Sequence, residues 1–298
     1  MPNADDNKTE PDSTLGHGDH WRAIGLDDTE AIALAIVETA RNGRVSAAFP
    51  AAWPIEDSDR IFQLEVNRGA LTFAAVIAEE KSNQRNNLVT AYPVGCQRIP
   101  WTLQINGCSD AYGPHEGIIC GETEDGRELQ WFAPNFGAEA TRWRSGGLAK
   151  VGLNAIALSV QPFVPQVYSI KEGPLVEIER RRLQEEGRHK EANDPDLSVS
   201  VSTETLRTLY CEQNDHHTLI GEILKAEPVI LEPDTHGWLL EVQCLPDDDI
   251  TEAKPRLPVY VFELALMKGT PLKEGDLIQA AVWLQGIYEG ATTENDPT

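Results

Sequence analysis

Four of the seven histidines lie in two short segments whose residue types could do chemistry. The first, His17-Gly18-Asp19-His20, places two imidazoles and a carboxylate within four residues, and zinc and nickel accept such ligands. The segment belongs to a polar, glycine-flanked N-terminal stretch that we expect to be disordered. It therefore predicts weak metal binding at most, without a preorganised site.

The second segment, Asp215-His216-His217, is the densest titratable cluster of the sequence. An imidazole beside a carboxylate is a typical general base, so a hydrolase that uses this region is one hypothesis. Adjacent residues of a strand point to opposite faces, which would prevent His216 and His217 from serving one site in an extended segment. An exposed loop is the simpler interpretation, and we predict no catalytic residue.

A third cluster, Asp247-Asp248-Asp249 with Glu252, could bind a hard cation, but it lacks the spacing of a calcium loop. An acidic surface loop is the better interpretation. The sequence also lacks the Gly-x-Ser-x-Gly, Gly-x-x-x-x-Gly-Lys-Ser/Thr, Gly-x-Gly-x-x-Gly and His-Glu-x-x-His motifs. These absences weigh against the common hydrolase and nucleotide-binding classes. We predict no cofactor and no metal site.

The five cysteines are an odd number, and no two of them lie within four residues of each other. Zinc sites usually show closely spaced cysteine pairs, and a disulfide framework needs an even and denser set. We therefore expect reduced thiols.

The formal net charge is −23, from 48 acidic and 25 basic residues in a chain of 298. Such a charge opposes non-specific contact with nucleic-acid phosphates and anionic lipid. Two interpretations stay open: a surface that is only well hydrated, or one that attracts a basic partner or imitates nucleic acid. No apolar run approaches the roughly 20 residues that span a bilayer, and the polar start has no signal-peptide core. We expect a cytoplasmic protein without membrane contact.

Local patterns predict the elements of the first half of the chain. Asp27 or Asp28 can cap a helix that Asn42-Gly43 ends, and its apolar residues on more than one face predict packing between other elements. From about 61 to 160 the chain reads as strands. The clearest hairpin turns at Glu124-Asp125-Gly126.

The second half begins with a change in character. Residues 174–186 predict an exposed, charge-rich helix, and residues 187–195 predict a linker of low hydrophobicity. Residues 203–210 predict a short helix. From 218 onward, short strands separated by Gly, Pro and Asp predict a small barrel or sandwich.

This second series of strands opens with Gly221-Glu222-Ile223, contains a Trp-bearing strand, and has the turn Lys273-Glu274-Gly275-Asp276 before a long final strand. In these features it resembles an OB-type barrel, and its end resembles the ends of uncharacterised bacterial proteins with paired β-barrels. The stretch Gly126–Phe132 gives the first series of strands, over about 61 to 160, a similar resemblance. The resemblance implies a fold of OB-like barrels but transfers no catalytic residue, so it leaves the function open.

We therefore predict an α+β, β-rich fold of two OB-like barrel or sandwich units, joined by a helical linker and preceded by an N-terminal helix. The predicted boundaries are a disordered acidic tail over 1–22, a first β-rich domain over 23–165, a helical linker over 166–215, a second OB-like domain over 216–290 and a tail over 291–298.

The predicted function is non-catalytic: binding of another protein through an acidic, β-rich surface, at exposed sheet edges or at the helix of residues 174–186. The alternative is an OB-type module that binds single-stranded nucleic acid through Arg142, Trp143 and Arg144, because such modules combine basic residues with aromatic platforms. The scarcity of basic residues near aromatic rings makes nucleic acid the weaker hypothesis. A hydrolase at Asp215-His216-His217 is the second alternative, and the oligomeric state stays open.

Overall fold

The computed structural model describes residues 17–49, 58–80, 86–109, 115–232, 235–246, 255–267 and 272–291. Three predicted features lie wholly or partly outside these ranges: residues 1–16 of the N-terminal tail, the cluster Asp247-Asp248-Asp249 with Glu252, and residues 292–298 of the C-terminal tail. In the described residues strands outweigh helices, which confirms the predicted α+β, β-rich class.

The helices are α1 (Gly18–Ala23), α2 (Thr29–Asn42), α3 (Phe136–Ser145), α4 (Pro174–Glu185) and α5 (His189–Ala192), and a 3₁₀ turn spans Glu263–Ala265. The strands are β1 (Arg44–Ala48), β2 (Ser58–Arg68), β3 (Leu71–Glu80), β4 (Asn86–Gly95), β5 (Ile99–Ser109), β6 (Gly117–Glu122), β7 (Glu128–Ala133), β8 (Gly147–Pro162), β9 (Val167–Ile170), β10 (Val199–Ser202), β11 (Thr208–Gln213), β12 (His216–Glu232), β13 (Thr235–Gln243), β14 (Arg256–Phe262) and β15 (Leu277–Ala291).

Nine of these strands form one sheet that closes on itself twice. In the first ring, β5, β6, β7, β15 and β8 follow one another, and β8 pairs back with β5. In the second ring, β12, β13, β14, β8 and β15 follow one another, and β15 pairs back with β12. The two long strands β8 and β15 therefore belong to both rings. They pair antiparallel from Ile278 opposite Pro162 to Ala291 opposite Ala149.

The shared strands β8 and β15 exchange their parallel and antiparallel pairing between the two rings. In the first ring β8 pairs antiparallel with β5 and β15 pairs parallel with β7. In the second ring β15 pairs antiparallel with β12 and β8 pairs parallel with β14. The opening strand of each ring, β5 or β12, divides its length between a shared strand and the next strand of its own ring. Alternate residues of β8 from Ala149 to Ala157 join one hydrophobic core that runs through both rings.

Strands β1 to β4 form a separate antiparallel meander in sequence order. β3 is buried along Leu71–Ala78, because α2 packs against this sheet on one side and the outer surface of the rings covers the other side. Tyr92 Oη donates to Pro134 O over 2.8 Å, and Gln285 Nε2 donates to Pro93 O over 2.8 Å. The result is three layers: α2, the four-stranded sheet and the two rings.

Residues 163–207 leave the rings between β8 and β11, and we call this segment the arm. It contains α4, α5 and the two-stranded ribbon β9–β10, whose contacts run mainly among themselves. Val176, Leu183 and Ala192 of its two helices are buried, and we call these three residues the small core of the arm. Arg207 ties the end of the arm to the rings through an ion pair with Glu222 at 2.6 Å.

Several locally encoded elements form where the sequence predicts them. The Asp28 side chain caps α2 by accepting from the Glu30 amide, and the helix ends before Gly43. The hairpin β6–β7 turns at Glu124-Asp125-Gly126, where Gly126 has a φ of 81° that a residue with a side chain rarely adopts. The charged helix also forms, as α4.

Two other local predictions are wrong. The helix predicted over 203–210 is replaced from Thr208 by β11, because this β-branched and aromatic segment pairs with β12 and the pairing overrides helical preference. α2 does not pack on more than one face. Its buried residues face the four-stranded sheet, whereas Leu34 and Val37 are 63% and 43% exposed.

The predicted division into two β domains stays a prediction. Strands on both sides of the predicted linker hydrogen-bond in the nine-stranded sheet, and both rings need β8 from the first predicted domain and β15 from the second. The predicted linker over 166–215 holds β9, β10 and β11 in addition to its two helices.

Candidate functional site: a buried histidine–glutamate chain

Residues 17–22 correct the prediction of a disordered tail up to residue 22, because they lie against the body of the protein. Trp21 is fully buried, meets Phe73 edge to face, and donates through Nε1 to Ala91 O over 3.3 Å. Burial of this ring and of Ile24 offsets the entropy of ordering the short helix α1. His17, just before α1, has a φ of 67°, an uncommon conformation for a residue with a side chain and one that clusters at functional sites.

A chain of hydrogen bonds runs from a buried carboxylate to a half-buried imidazole. Glu116 Oε1 accepts from Thr90 Oγ1 and lies 2.7 Å from His17 Nε2. His17 Nδ1 lies 2.9 Å from His20 Nδ1, and His20 Nε2 lies 3.0 Å from His216 Nε2. We call Glu116, His17, His20 and His216 the histidine chain.

Three distant segments bring the histidine chain together. His17 and His20 lie one helical turn apart at the start of α1, Glu116 comes just before β6, and His216 is the first residue of β12. Glu116 is 99 residues from His17, and His216 is 196 residues from His20. The site therefore exists only when α1 is docked against the rings.

The chain is buried except at the His216 end. His17, His20 and Glu116 are 8%, 3% and 5% exposed, whereas His216 is half-buried. Burial, together with the neighbouring imidazoles of His17 and His216, holds the pKa of His20 well below its usual value. His20 is therefore neutral at neutral pH.

Aromatic rings and a second carboxylate enclose His20. The His20 ring stacks on Trp283 of β15, with ring centroids 3.7 Å apart and planes within 2° of parallel. Trp283 Nε1 donates to Asp215 Oδ2 over 2.6 Å. Because Asp215 is fully buried, this hydrogen bond fixes the position of the Trp283 ring. Stacking on Trp283 in turn fixes the orientation of the His20 ring.

The neighbouring His217 points to a different environment. Its Nδ1 lies 3.3 Å from Asp215 O, and among the described residues its Nε2 has no hydrogen-bond partner. Burial lowers the pKa of His217 to about 4, and the nearby His216 contributes in the same direction. Asp215 and His217 are fully buried, which corrects the interpretation of Asp215-His216-His217 as an exposed loop. The cause is the pairing of this segment with β11 and β15.

The arrangement is suited to holding and moving protons. N···N separations of 2.9 and 3.0 Å are hydrogen-bond distances, and each imidazole can both donate and accept. Within the described ranges no group of three or more His, Cys, Asp or Glu residues is placed to hold a metal ion. The sequence singles out the three histidines by type, but Glu116 carries no signal beyond its position next to His115.

The residues of the predicted nucleic-acid site lie on α3, at the first ring. Trp143 is fully buried and meets Trp131 and Tyr288 edge to face, so its ring offers no surface on which a base could stack. Arg142 is exposed and pairs with Glu139 at 2.6 Å, and Arg144 is exposed as well. The structure therefore brings two basic residues to the surface without the aromatic platform that the sequence predicts between them.

An open cavity of about 330 Å³ lies elsewhere, where the loop after β4 meets β12, β13 and β14. Its lining is mostly apolar, with Val229, Ile230 and Leu239 beside Tyr260, and it includes Cys96. None of the residues of the histidine chain lines it. All five cysteines are free thiols, as the sequence predicts.

Comparison with protein-family models, with curated proteins and with solved structures found no match. Among the described residues, no helix combines the length and the apolar character needed to cross a membrane.

Proposed function

We propose that this protein acts by binding another protein, and that the arm makes the contact. Among the described residues fifteen large hydrophobic side chains are exposed, and six of them lie in the 45 residues of the arm. The six are Val164, Val167, Tyr168, Leu175, Ile178 and Leu206. This concentration carries the proposal, because grouped exposed apolar side chains typically mark interaction surfaces.

The arm offers two kinds of contact. Leu175 and Ile178 are three residues apart on α4, so they share one face of that helix and could enter a groove of a partner. In the described part of the chain β9 and β10 pair only with each other, which leaves each with an edge that could accept a partner strand. An isolated two-stranded ribbon is only marginally stable in water, so a third strand would stabilise it.

The charge distribution supports a basic partner. The arm carries seven Lys and Arg against nine Asp and Glu, whereas the rest of the chain carries 18 against 39. An acidic body attracts a basic protein over distance and repels acidic ones, while a nearly neutral arm supplies apolar anchors. We therefore commit to a partner protein with a basic surface around an exposed apolar segment.

We also infer that both rings are OB-type barrels. The support is the strand order: each ring has five strands, one parallel pair, and an opening strand divided between two partners. Oligonucleotides bind OB barrels across the second and third strands, which are here β6–β7 and β13–β14. Ile118, Phe132, Leu239 and Tyr260 on those strands are buried in the core shared with the four-stranded sheet. This cover favours a protein partner over nucleic acid.

The test compares two double variants of the full chain. Tyr168→Ser with Ile178→Ser alters the arm, and Leu88→Ser with Leu148→Ser alters similarly exposed residues outside it. Each protein is used to capture partners from its native host after nuclease treatment, and the captured protein is then purified and titrated against each variant. We expect one basic partner whose binding weakens with salt and falls at least about tenfold for the arm variant only.

Two results would overturn the proposal. One is a purified partner that binds the arm variant as tightly as the wild type. The other is retention of nucleic acid, with salt-dependent binding that the arm variant does not change, which would instead favour the OB-type nucleic-acid alternative.

A further inference from the structure

Each nitrogen–nitrogen contact of the histidine chain must hold one proton. Two bare nitrogens 2.9 or 3.0 Å apart would repel each other through their lone pairs, and two N–H groups would clash. The same holds for the 2.7 Å contact between His17 Nε2 and Glu116. Three contacts in a row therefore hold three protons, and the position of one proton fixes the others.

The tautomers follow from the acceptor at the buried end. An ionised Glu116 can only accept, so His17 carries its proton on Nε2 and accepts at Nδ1. His20 then donates from Nδ1 and accepts at Nε2, and His216 donates from Nε2. In this state all three imidazoles are neutral and all three donors point towards Glu116.

The chain has room for one additional proton, which can enter at the Nδ1 atom of His216. From there each proton of the chain moves one step towards Glu116. His216 passes its Nε2 proton to His20 Nε2, and His20 passes its Nδ1 proton to His17 Nδ1. His17 passes its Nε2 proton to Glu116. One proton has left solvent, one carboxylate has become a carboxylic acid, and each histidine is again neutral with its proton on the other nitrogen.

We propose that His216, His20, His17 and Glu116 form a proton-transfer path that carries one proton between solvent and the buried Glu116 carboxylate. The half-buried His216 is the entry, and the buried Glu116 is the acceptor. The proposal concerns a site that is separate from the arm, so it does not depend on the proposed function.

The buried surroundings disfavour a state in which the additional proton remains on a histidine in the middle of the chain. An imidazolium at His20 would be a buried cation against two further imidazoles, whereas the end state has no charge on any member of the chain. Among the described residues, the titratable groups near the chain include Tyr92 of β4, His115 before β6, and Asp215 and His217 at the start of β12. Tyr92 and His217 stay neutral near neutral pH, because burial raises the pKa of the first and lowers that of the second.

Nitrogen-15 NMR of the histidine rings in the full chain tests the path, because it distinguishes the two neutral tautomers from the imidazolium. On lowering the pH from 8, we expect His17, His20 and His216 to exchange tautomers together, with one midpoint and without becoming imidazolium. Infrared difference spectra should show a protonated carboxyl group that appears with the same midpoint. Glu116→Gln keeps an oxygen acceptor but cannot take the proton, so the joint exchange should be lost.

His216→Gln is the second variant, at the half-buried entry where a polar replacement is well tolerated, and it should also abolish the joint exchange at His17 and His20. His189→Gln, on the exposed helix α5, is the matched control and should leave the exchange unchanged. Separate midpoints for the three histidines, a stable imidazolium at His20, or a joint exchange that survives Glu116→Gln would each overturn the proposal.

Discussion

The histidine chain and the arm are built in opposite ways. Contacts in the histidine chain join residues 99 and 196 positions apart, and they require α1, β6 and β12 to meet. Contacts on the arm stay mainly within its own 45 residues, and on α4 they join near neighbours, as where Arg182 pairs with Glu179 and Glu186. The first region therefore depends on the whole fold, whereas the second can change without disturbing the body. The proposed proton path and the proposed binding surface therefore lie in separate regions of the molecule.

The largest expected effect lies at the histidine chain. Trp283 is fully buried, stacks on His20 and donates to Asp215. Its replacement by a small residue therefore leaves a cavity and removes one hydrogen-bond donor from the Asp215 carboxylate. We expect Trp283→Ala to lower the free energy of unfolding by about 3–5 kcal/mol. Urea denaturation followed by circular dichroism measures this. Trp283→Phe keeps a smaller aromatic ring and loses the donor, so its cost should be smaller, about 1–3 kcal/mol.

The second prediction concerns how the stability of the fold changes as the pH is lowered. The pKa of His217 is about 4 in the folded protein, compared with about 6.5 in the unfolded chain. Between these values the unfolded chain binds a proton that the folded protein does not. His217 therefore contributes stability above pH 6.5 that is lost as the pH falls, at about 1.4 kcal/mol per pH unit. His20, whose pKa is also lowered, acts in the same direction.

His217→Leu isolates this contribution, since leucine does not titrate. The free energy of unfolding, measured by urea denaturation at several pH values from 7.5 to 4.5, should depend less steeply on pH by about one proton. His189→Gln, on the exposed surface of the arm, should leave the slope unchanged. An unchanged slope for His217→Leu would show that His217 is not buried in its neutral form.

The third prediction separates the regions by local stability. Leu183 is 2% exposed in the small core of the arm, with Val176 and Ala192. We expect Leu183→Ala to reduce the local opening free energy of α4 and α5 by about 2–3 kcal/mol. Hydrogen exchange measured peptide by peptide should show faster exchange over residues 174–192 and no change in α1. Faster exchange at α1 would contradict the independence of the arm.

The same contrast explains how far the sequence could predict the structure. The cap at Asp28, the turn at Gly126 and the start of α4 at Pro174 are set by residues within a few positions of one another, and all three form as predicted. The double closure through β8 and β15 is different, because it depends on pairing between strands more than 100 residues apart. No local pattern specifies that pairing.

The candidate site fails to be predicted for the same reason. The pattern His17-Gly18-Asp19-His20 is visible, but its polar neighbours favour disorder. What orders it is the burial of Trp21 beside Phe73. Nothing near Glu116 in the sequence indicates that it meets His17. Residue types therefore point to histidine chemistry, whereas the long-range fold decides which groups meet.

The smallest expected effect is at the exposed face of α4, and it compares the exposed surface of the arm directly with the buried interior of the body. Ile178 is 61% exposed, so Ile178→Ser should change the free energy of unfolding by no more than about 0.5 kcal/mol. The same substitution at Ile36, 5% exposed on α2, should cost at least about 2 kcal/mol, because it leaves a cavity and a buried hydroxyl. Isoleucine and serine have similar helix propensities, so burial alone distinguishes the two helices. Urea denaturation measures both. A large cost at Ile178 would mean that its side chain is covered in the isolated protein, and a loss of partner binding by an Ile178 variant would then reflect unfolding of the arm rather than a missing anchor.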